Sequence, residues 1–247
     1  MAETKPLQPA KGGGGYGSVN VPPEGDLAAA AEAPQSCVWN AVHFAGFFVG
    51  GGTFILGSMC YLYPHWKPSG HDAAELYVLG SCGFLLVDVL EFFTFTAEPL
   101  LRRNIGLSTV GSTLYVIGSA GFLPSVAAAS PQLGPWGFIL GSAFIGSSQL
   151  WKTYRIGSAG GETECAPGSS FAVANRLRDR DQFTQVGVEL SAGIGAWFFF
   201  FSTLMYDYGP IDHWSYLLRI IYLWIAGSCF FFLGSLFLGV RHFVMGR

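Results

Sequence analysis

Apolar residues dominate six long stretches of the chain, and few charged residues interrupt them. The stretches cover about residues 41–63, 75–97, 106–128, 134–152, 184–206 and 217–240. Most have about 20 residues, the length that a helix needs to cross a hydrocarbon core of about 30 Å. The pattern therefore predicts an all-α, polytopic membrane protein with six transmembrane helices.

A short motif recurs within these stretches: an aromatic residue stands three positions before a Gly-Ser pair. The copies are Phe54 with Gly57-Ser58, Tyr77 with Gly80-Ser81, Tyr115 with Gly118-Ser119, Phe138 with Gly141-Ser142, and Trp224 with Gly227-Ser228. The fifth stretch departs from it, because counting from Trp197 leads to Phe200 and Phe201. Recurrence at equivalent offsets indicates internal repeats. We predict three tandem helical hairpins.

The hairpins divide the chain into five segments. Residues 1–37 are rich in Gly, Pro and Ala and predict a poorly ordered tail. The first hairpin covers 38–103, the second 104–155 and the third 183–247, with a long loop over 156–182.

Composition narrows the class of protein. Only 12% of the residues are charged, 51% are hydrophobic and the mean hydropathy is +0.40. Soluble domains carry about 25% charged residues, so the composition argues against a soluble protein. The net charge of −3 does not indicate a nucleic-acid partner. The five cysteines lack metal-ligand spacing, and neither a disulfide framework, a metal site nor a cofactor is predicted.

Lysine and arginine are distributed asymmetrically between the two sides of a six-span topology. Lys67 is the lone basic residue between the first two spans, and no basic residue lies between spans three and four. Most others fall in the tail, the second and fourth connections and the carboxyl end. By the positive-inside rule, both termini face the cytoplasm, or the stroma or matrix of an organelle.

The repeated text resembles a known family. YVIGSAGFLP followed by WGFILGSAFI, and FILGSMCYLYP followed by YVLGSCGFLL, are similar to the YrhK-like domain, a two-helix membrane module; YLWIAGSCFFFLGS supports the likeness in the third hairpin. The resemblance implies a multi-pass membrane protein without an assigned biochemical activity.

Small residues recur every seven positions and so lie on one helix face. Gly50 and Gly57 form such a face in the first span, and Gly111 and Gly118 in the third. In the fifth span Gly193 leads to Phe200, which would block the face. Because small residues let helix backbones approach closely in membranes, we assign helix packing to these four glycines and to Gly80, Ser81, Gly141, Ser142, Gly227 and Ser228.

One repeat position is polar in all three hairpins, where it holds Asp88, Gln149 and Ser235. Intramembrane acids are costly and usually face a partner or a cavity, so we expect Asp88 to be buried and hydrogen-bonded or protonated. Together with Asp88, a candidate polar site open to the cytoplasm would contain His43, Glu91, Gln149, Lys152 and Glu189. The alternative is structural: Glu91 and Glu189 reach the membrane interface or pair with Lys152 or Arg103.

Two functions remain open from the sequence. Packing residues dominate the repeats, which favours a structural or accessory scaffold, or a subunit of a membrane complex, with lipid and other proteins as partners. The alternative is a small proton- or cation-coupled transporter or channel that uses Asp88, Glu91 and Glu189. No Walker, HExxH or GxSxG motif occurs, so we do not predict an enzyme.

Overall fold

The computed structural model describes residues 36–62, 70–96, 99–158 and 180–246. They form seven α-helices and a closing π-helical turn, with no strand in these ranges. The helices are α1 (Cys37–Cys60), α2 (Gly70–Thr94), α3 (Pro99–Gly121), α4 (Pro124–Ala129), α5 (Leu133–Ser158), α6 (Arg180–Tyr208) and α7 (Trp214–Gly239), and the π-helical turn is Val240–Val244. The predicted all-α class is confirmed. Residues 1–35 of the predicted tail and 159–179 of the predicted loop lie outside the described ranges.

The predicted third stretch, 106–128, is wrong at both ends. Helix α3 begins at Pro99 and ends at Gly121, and the short α4 begins at Pro124. Leu123 is extended, with ψ of 133°, because a residue before proline is disfavoured in the helical conformation. Proline is well suited to the first turn of α4, where its missing N–H costs no helical hydrogen bond.

Four of the long helices are long and apolar enough to cross a membrane: Cys37–Cys60, His71–Thr94, Arg180–Tyr208 and Trp214–Val244. The expectation was six. Helices α3 and α5 differ from these four in composition. Helix α3 carries two arginines near its start and five Ser or Thr side chains, and α5 carries Gln149, Lys152 and Arg155 near its end.

The six long helices form a closed ring. Helix α1 packs against α2, α2 against α3, α3 against α5, α5 against α6, α6 against α7, and α7 returns to α1. Each long helix thus has two neighbours, and the first hairpin closes the ring with the third. The short α4 lies in the connection between α3 and α5.

Aromatic side chains fill the centre of the ring, and Phe54 lies in the middle of them. Its side chain is 0% exposed. Its ring centroid lies 5.0 to 6.2 Å from aromatic rings on each of the other five long helices, namely Tyr77 and Phe84, Tyr115, Phe138, Phe199 and Phe231. Aromatic pairs at such distances add to the stabilisation from buried area. This aromatic core joins all three hairpins.

Each long helix also buries a hydroxyl side chain close to the aromatic core. These residues are Ser58, Ser81, Ser119, Ser142, Thr203 and Ser228, all at most 1% exposed. Tyr77 and Ser58 share a hydrogen bond of 2.9 Å, as do Tyr115 and Ser142. Ser58 also lies 3.1 Å from Ser228, and Ser81 lies 2.8 Å from Ser119. The five serines therefore have hydroxyl partners on neighbouring helices, as buried polar groups require.

Helix α6 uses a different register from the expected one. Phe199, not Phe200, enters the core, and Trp224 Nε1 donates to Thr203 Oγ1 over 3.3 Å. The face of α6 that carries small residues contains Gly195 and, seven residues later, Ser202. A Cβ at Gly195 would lie 2.8 Å from the carbonyl oxygen of Gly227 in α7. The face that was expected to be blocked, with Gly193 followed by Phe200, is not the one that packs on α7, because Gly195 makes that contact and Gly193 faces Gln149 and Leu150 of α5. Trp197 faces Gly146 of α5.

The other packing glycines lie at close helix contacts. A Cβ at Gly50 would meet Phe84 at 2.5 Å, and one at Gly111 would lie 3.0 Å from the carbonyl oxygen of Gly141. At Gly57 the nearest atoms, on Ala73 and Tyr77, are 3.2 Å away. Gly118, Gly80, Gly141 and Gly227 have neighbouring atoms at 2.8, 2.4, 2.6 and 2.9 Å. Side chains at these positions would push neighbouring helices apart.

Candidate functional site

Ionisable side chains collect at one end of the ring, where α1, α3 and α6 begin and α2, α5 and α7 end. They come from five elements: His43, Asp88 with Glu91, Lys152, Glu189 and His242. His43, Asp88, Lys152 and His242 are at most 8% exposed. Because neighbouring helices run in opposite directions, residues distant in sequence reach the same depth.

Lys152 lies between two glutamates from different hairpins. Its Nζ donates to Glu91 Oε2 over 3.0 Å and lies 3.6 Å from Glu189 Oε2. Both glutamate side chains are 15% exposed and that of Lys152 is 8% exposed. Removing one partner from a buried ion pair leaves an uncompensated charge. The group ties α2, α5 and α6 together, and it matches the pairing alternative derived from the sequence.

The second oxygen of Glu91 extends the network to two histidines. Glu91 Oε1 lies 3.2 Å from His43 Nε2, and His43 Nδ1 lies 2.9 Å from His242 Nε2. His242 was not among the predicted site residues. Its place near the end of the last apolar stretch was visible in the sequence, but the closure of α7 onto α1 was not.

Trp39 covers the histidine pair at the start of α1. Its ring stacks on His43 with a centroid distance of 4.5 Å and meets His242 edge-on at 5.8 Å. Its Nε1 donates to Thr94 Oγ1 over 3.0 Å, which anchors the indole to the end of α2. Ser36 caps α1 by accepting a hydrogen bond from the Trp39 backbone N–H over 3.1 Å. Trp39 is thus held at both its backbone and its side chain.

Asp88 lies one turn deeper in the bundle than Glu91. It is 6% exposed, and its Oδ2 accepts a hydrogen bond from Ser112 of α3. The expected burial and hydrogen bonding are confirmed. Within the described ranges, no ion pair joins Asp88 to a cation.

The positions expected to be equivalent to Asp88 behave differently. Gln149 is 6% exposed, and its Oε1 has no hydrogen-bond partner among the described residues. Ser235 donates to the carbonyl oxygen of Phe232 in its own helix over 2.6 Å. Of the three residues at this repeat position, Asp88 alone has a hydrogen-bond partner on another helix among the described residues.

A buried pair between α3 and α5 was missed by the sequence analysis. Asn104 Nδ2 donates to the carbonyl oxygen of Ser148 over 3.2 Å, and Ser148 Oγ donates to that of Asn104 over 3.0 Å. Both side chains are buried. Because Asn104 follows Arg102 and Arg103, the sequence suggested a charged connection between helices at this position. In the structure α3 already begins at Pro99, so Asn104 lies within the helix.

A separate group of possible ligands lies at the start of α2, at the opposite end of this helix. The ligand atoms of His71, Asp72 and Glu75 lie within 4.8 Å of one another, and all three side chains are exposed. His71 and Glu75 are four residues apart and form a contact of 3.2 Å, a common arrangement on helix surfaces. We assign no metal to this group.

The chain was also compared with known proteins. Neither the protein-family models, the curated proteins nor the solved structures contained a match. The geometry of the bundle and its charged network are therefore the observations that bear on function.

Proposed function

We propose that this chain is an integral membrane protein with six spans in three tandem hairpins, and that it serves as a scaffold or accessory subunit in a membrane complex. The aromatic core carries this proposal. Phe54 contacts aromatic rings from all five other long helices. The cavity beside the core, lined by Tyr77, Phe138 and Phe199 among others, has about 10 Å³, which is close to the minimum for one water molecule. Such packing favours a rigid bundle over a pore through its centre.

The polar residues of α3 are compatible with a membrane span. Ser108, Ser112 and Ser119 are buried in the bundle. Thr109 and Thr113 donate to the carbonyl oxygens of the residues four positions earlier, each over 2.8 Å. Because these hydroxyls have partners, the cost of facing hydrocarbon is reduced. We therefore include α3 among the six spans.

Helix α5 supports the same interpretation. Ser142, Ser148, Gln149 and Lys152 are buried, and Thr153 donates to the Gln149 carbonyl oxygen over 2.9 Å. The outer faces of α3 and α5 expose large apolar side chains, among them Leu107, Val110, Ile117, Leu140 and Leu150. Polar groups inside and apolar groups outside are what a lipid-facing helix requires.

The similarity to the YrhK-like domain and the tandem repeat remain part of this proposal. Each hairpin places one buried hydroxyl on each of its two helices. On the first helix of the three hairpins this residue is Ser58, Ser119 and Thr203. Phe54 stands four positions before Ser58, and Tyr115 four positions before Ser119. In the third hairpin Phe199 stands four positions before Thr203. This supports three copies of one module.

Isolation of the full chain from its native membrane in mild detergent tests the scaffold proposal. We expect the protein to migrate as a stable complex with other proteins in native electrophoresis, with defined partners after crosslinking. The Asp88→Asn variant should form the same complex, since asparagine can still accept a hydrogen bond from Ser112. Migration as a monomer, together with ion flux in reconstituted vesicles, would contradict the proposal.

A second candidate is proton- or cation-coupled transport through the network. It is favoured by the excess of acids over lysine in the network, since Glu91 and Glu189 both contact Lys152 and the buried Asp88 lies one turn from Glu91. Acidic residues within membrane spans often mark ion or proton pathways. In sealed vesicles that contain the purified chain and a pH-sensitive dye, this candidate predicts flux that Asp88→Asn abolishes. The matched control is Asp212→Asn, which changes an exposed aspartate after α6. Unchanged flux in Asp88→Asn would exclude Asp88 as the coupling residue.

A further inference from the structure

A groove opens on the outer surface of the ring between α2 and the short α4, with a volume of about 590 Å³. Helix α2 lines it with His71, Glu75, Val78, Leu79 and Cys82. Residues at these spacings lie on one face of a helix. Leu79 is 54% exposed, so this face points away from the aromatic core.

Helix α4 forms the opposite wall because the chain leaves the ring at the end of α3. Leu123 is extended, and Pro124 begins α4, which has no buried residue. Both of these residues line the groove. Helix α4 therefore borders the space beside α2 without filling it.

The groove is polar at one end and apolar along the rest of its length. His71 and Glu75 lie at the start of α2, whereas Val78, Leu79 and Cys82 lie further along the helix. From His71 to Cys82 the helix rises by about 16 Å. One leaflet contributes about 15 Å to a hydrocarbon core of about 30 Å. In the six-span topology the groove therefore extends from the non-cytoplasmic interface to about the middle of the membrane, which is the depth of one lipid chain.

The charge at the polar end of the groove favours one class of headgroup. Glu75 is 60% exposed, and no lysine or arginine is among the described residues that line the groove. One oxygen of Glu75 contacts His71 Nδ1 at 3.2 Å. Because a carboxylate can accept about four hydrogen bonds, Glu75 can also accept one from a ligand. An ammonium group therefore fits this end better than an anionic headgroup does.

We propose that this groove binds one phospholipid of the non-cytoplasmic leaflet whose headgroup carries a primary ammonium, as in phosphatidylethanolamine. One acyl chain lies along Val78, Leu79 and Cys82, and the ammonium donates a hydrogen bond to Glu75. The volume of the groove is typical of ligand sites, which have about 300–1,000 Å³ and are largely apolar with a few polar groups that fix the orientation. The inference rests on the membrane insertion in the proposed function, but not on the scaffold role or on transport.

Competition between two lipids with the same acyl chains tests the site. The full chain, purified and delipidated in mild detergent, is mixed with equal amounts of dioleoyl phosphatidylethanolamine and dioleoyl phosphatidylglycerol, and native mass spectrometry counts the lipids that each protein retains. We expect one retained lipid and a preference for phosphatidylethanolamine of about two- to fivefold, the range for an exposed ion pair. Glu75→Gln should still retain a lipid but lose the preference.

A bulky side chain in the groove tests the position of the acyl chain. Leu79→Trp should lose most of the retained lipid, because the indole occupies the space between α2 and α4. Leu86→Trp is the matched control, since Leu86 is also exposed on α2 but does not line the groove. Equal retention by these two variants would contradict the groove as the site. A preference that is unchanged in Glu75→Gln, or a preference for phosphatidylglycerol, would contradict the assigned headgroup.

Thiol accessibility gives a second measurement that leaves the groove unaltered. Cys82 and Cys229 are both exposed, and Cys229 lies on α7, outside the groove. In delipidated proteins that keep one of these two cysteines, added phosphatidylethanolamine should slow the alkylation of Cys82 several-fold and leave that of Cys229 unchanged. Protection of Cys82 before lipid is added would overturn the proposal, because residues 63–69 or a second copy of the chain would then occupy the groove.

Extraction of membranes with carbonate separates failure of this site from failure of the proposed function. Release of the chain by carbonate would contradict the proposed membrane insertion. Retention of the chain in the washed membranes, together with equal lipid binding by Leu79→Trp and Leu86→Trp, would contradict the lipid site alone.

Discussion

The Nζ of Lys152 lies 3.0 Å from Glu91 Oε2 in a part-buried contact that joins α5 to α2. The same nitrogen lies 3.6 Å from Glu189 of the third hairpin. A single side chain thus contacts acids from both other hairpins, at the end of the ring where the histidine pair also lies. Among the charged residues that the structure describes, Lys152 is therefore the one for which we expect a strong effect on the stability of the bundle.

Lys152→Met should destabilise the protein strongly. Methionine has a similar length but leaves two largely buried glutamates, each 15% exposed, without their cation. Loss of one partner of a buried pair costs about 3–5 kcal/mol. The loss can be measured as a lower midpoint of unfolding in detergent. Glu75→Gln, which removes an exposed partner of His71, is the control and should change the free energy of unfolding by less than about 0.5 kcal/mol. Equal stability of Lys152→Met and the unmodified protein would show that the ion pairs contribute nothing net.

Gly118→Ala should weaken the contact between α3 and α5. The added Cβ would lie 2.8 Å from the backbone nitrogen of Phe138, which cannot move away as a flexible side chain could. Forcing extra volume into a packed contact typically costs about 1–3 kcal/mol. Gly52→Ala is the matched control, because its Cβ would meet its nearest neighbour, Phe232, at 3.9 Å. The prediction fails if both substitutions change the unfolding midpoint by the same amount.

Phe54→Ala should open a cavity in the centre of the ring. Truncation of a fully buried phenylalanine costs about 3–5 kcal/mol, and here the ring has aromatic neighbours on five helices. Phe201→Ala provides the comparison, since Phe201 is 57% exposed on the outer face of α6. The midpoint of unfolding in detergent should fall more in Phe54→Ala than in Phe201→Ala. A smaller loss at Phe54 than at Phe201 would argue against the aromatic core as the main support of the fold.

The ends of α3 should lie on opposite sides of the membrane. Thr96 precedes this helix and Ser130 follows α4, and both side chains are exposed. In a background without native cysteines, Thr96→Cys should react with an impermeant maleimide from the cytoplasmic side, and Ser130→Cys from the opposite side. Reaction of both from one side would remove α3 from the proposed set of spans.

Local sequence patterns determined the helical class and most helix positions. Four of the six long helices begin and end within about five residues of the predicted stretches. Helix α3 is displaced by seven residues at both ends, and α5 extends to Ser158. The glycines expected at helix contacts, including Gly50 and Gly118, lie there because close approach requires a missing Cβ, a property visible in the sequence. The burial of Asp88 followed from the cost of a carboxylate in lipid.

The tertiary structure decided what depends on contacts between distant helices. Closure of α7 onto α1 brings His242 to His43 across 199 positions of sequence, and no local pattern specifies that pairing. The register of α6 was also decided by packing. Counting from Trp197 gave Phe200 and Phe201 at the motif positions, whereas the residue packed beside Phe54 is Phe199. Periodicity defines the faces of each helix, whereas the choice of neighbouring helix follows from how six such faces fit together at once.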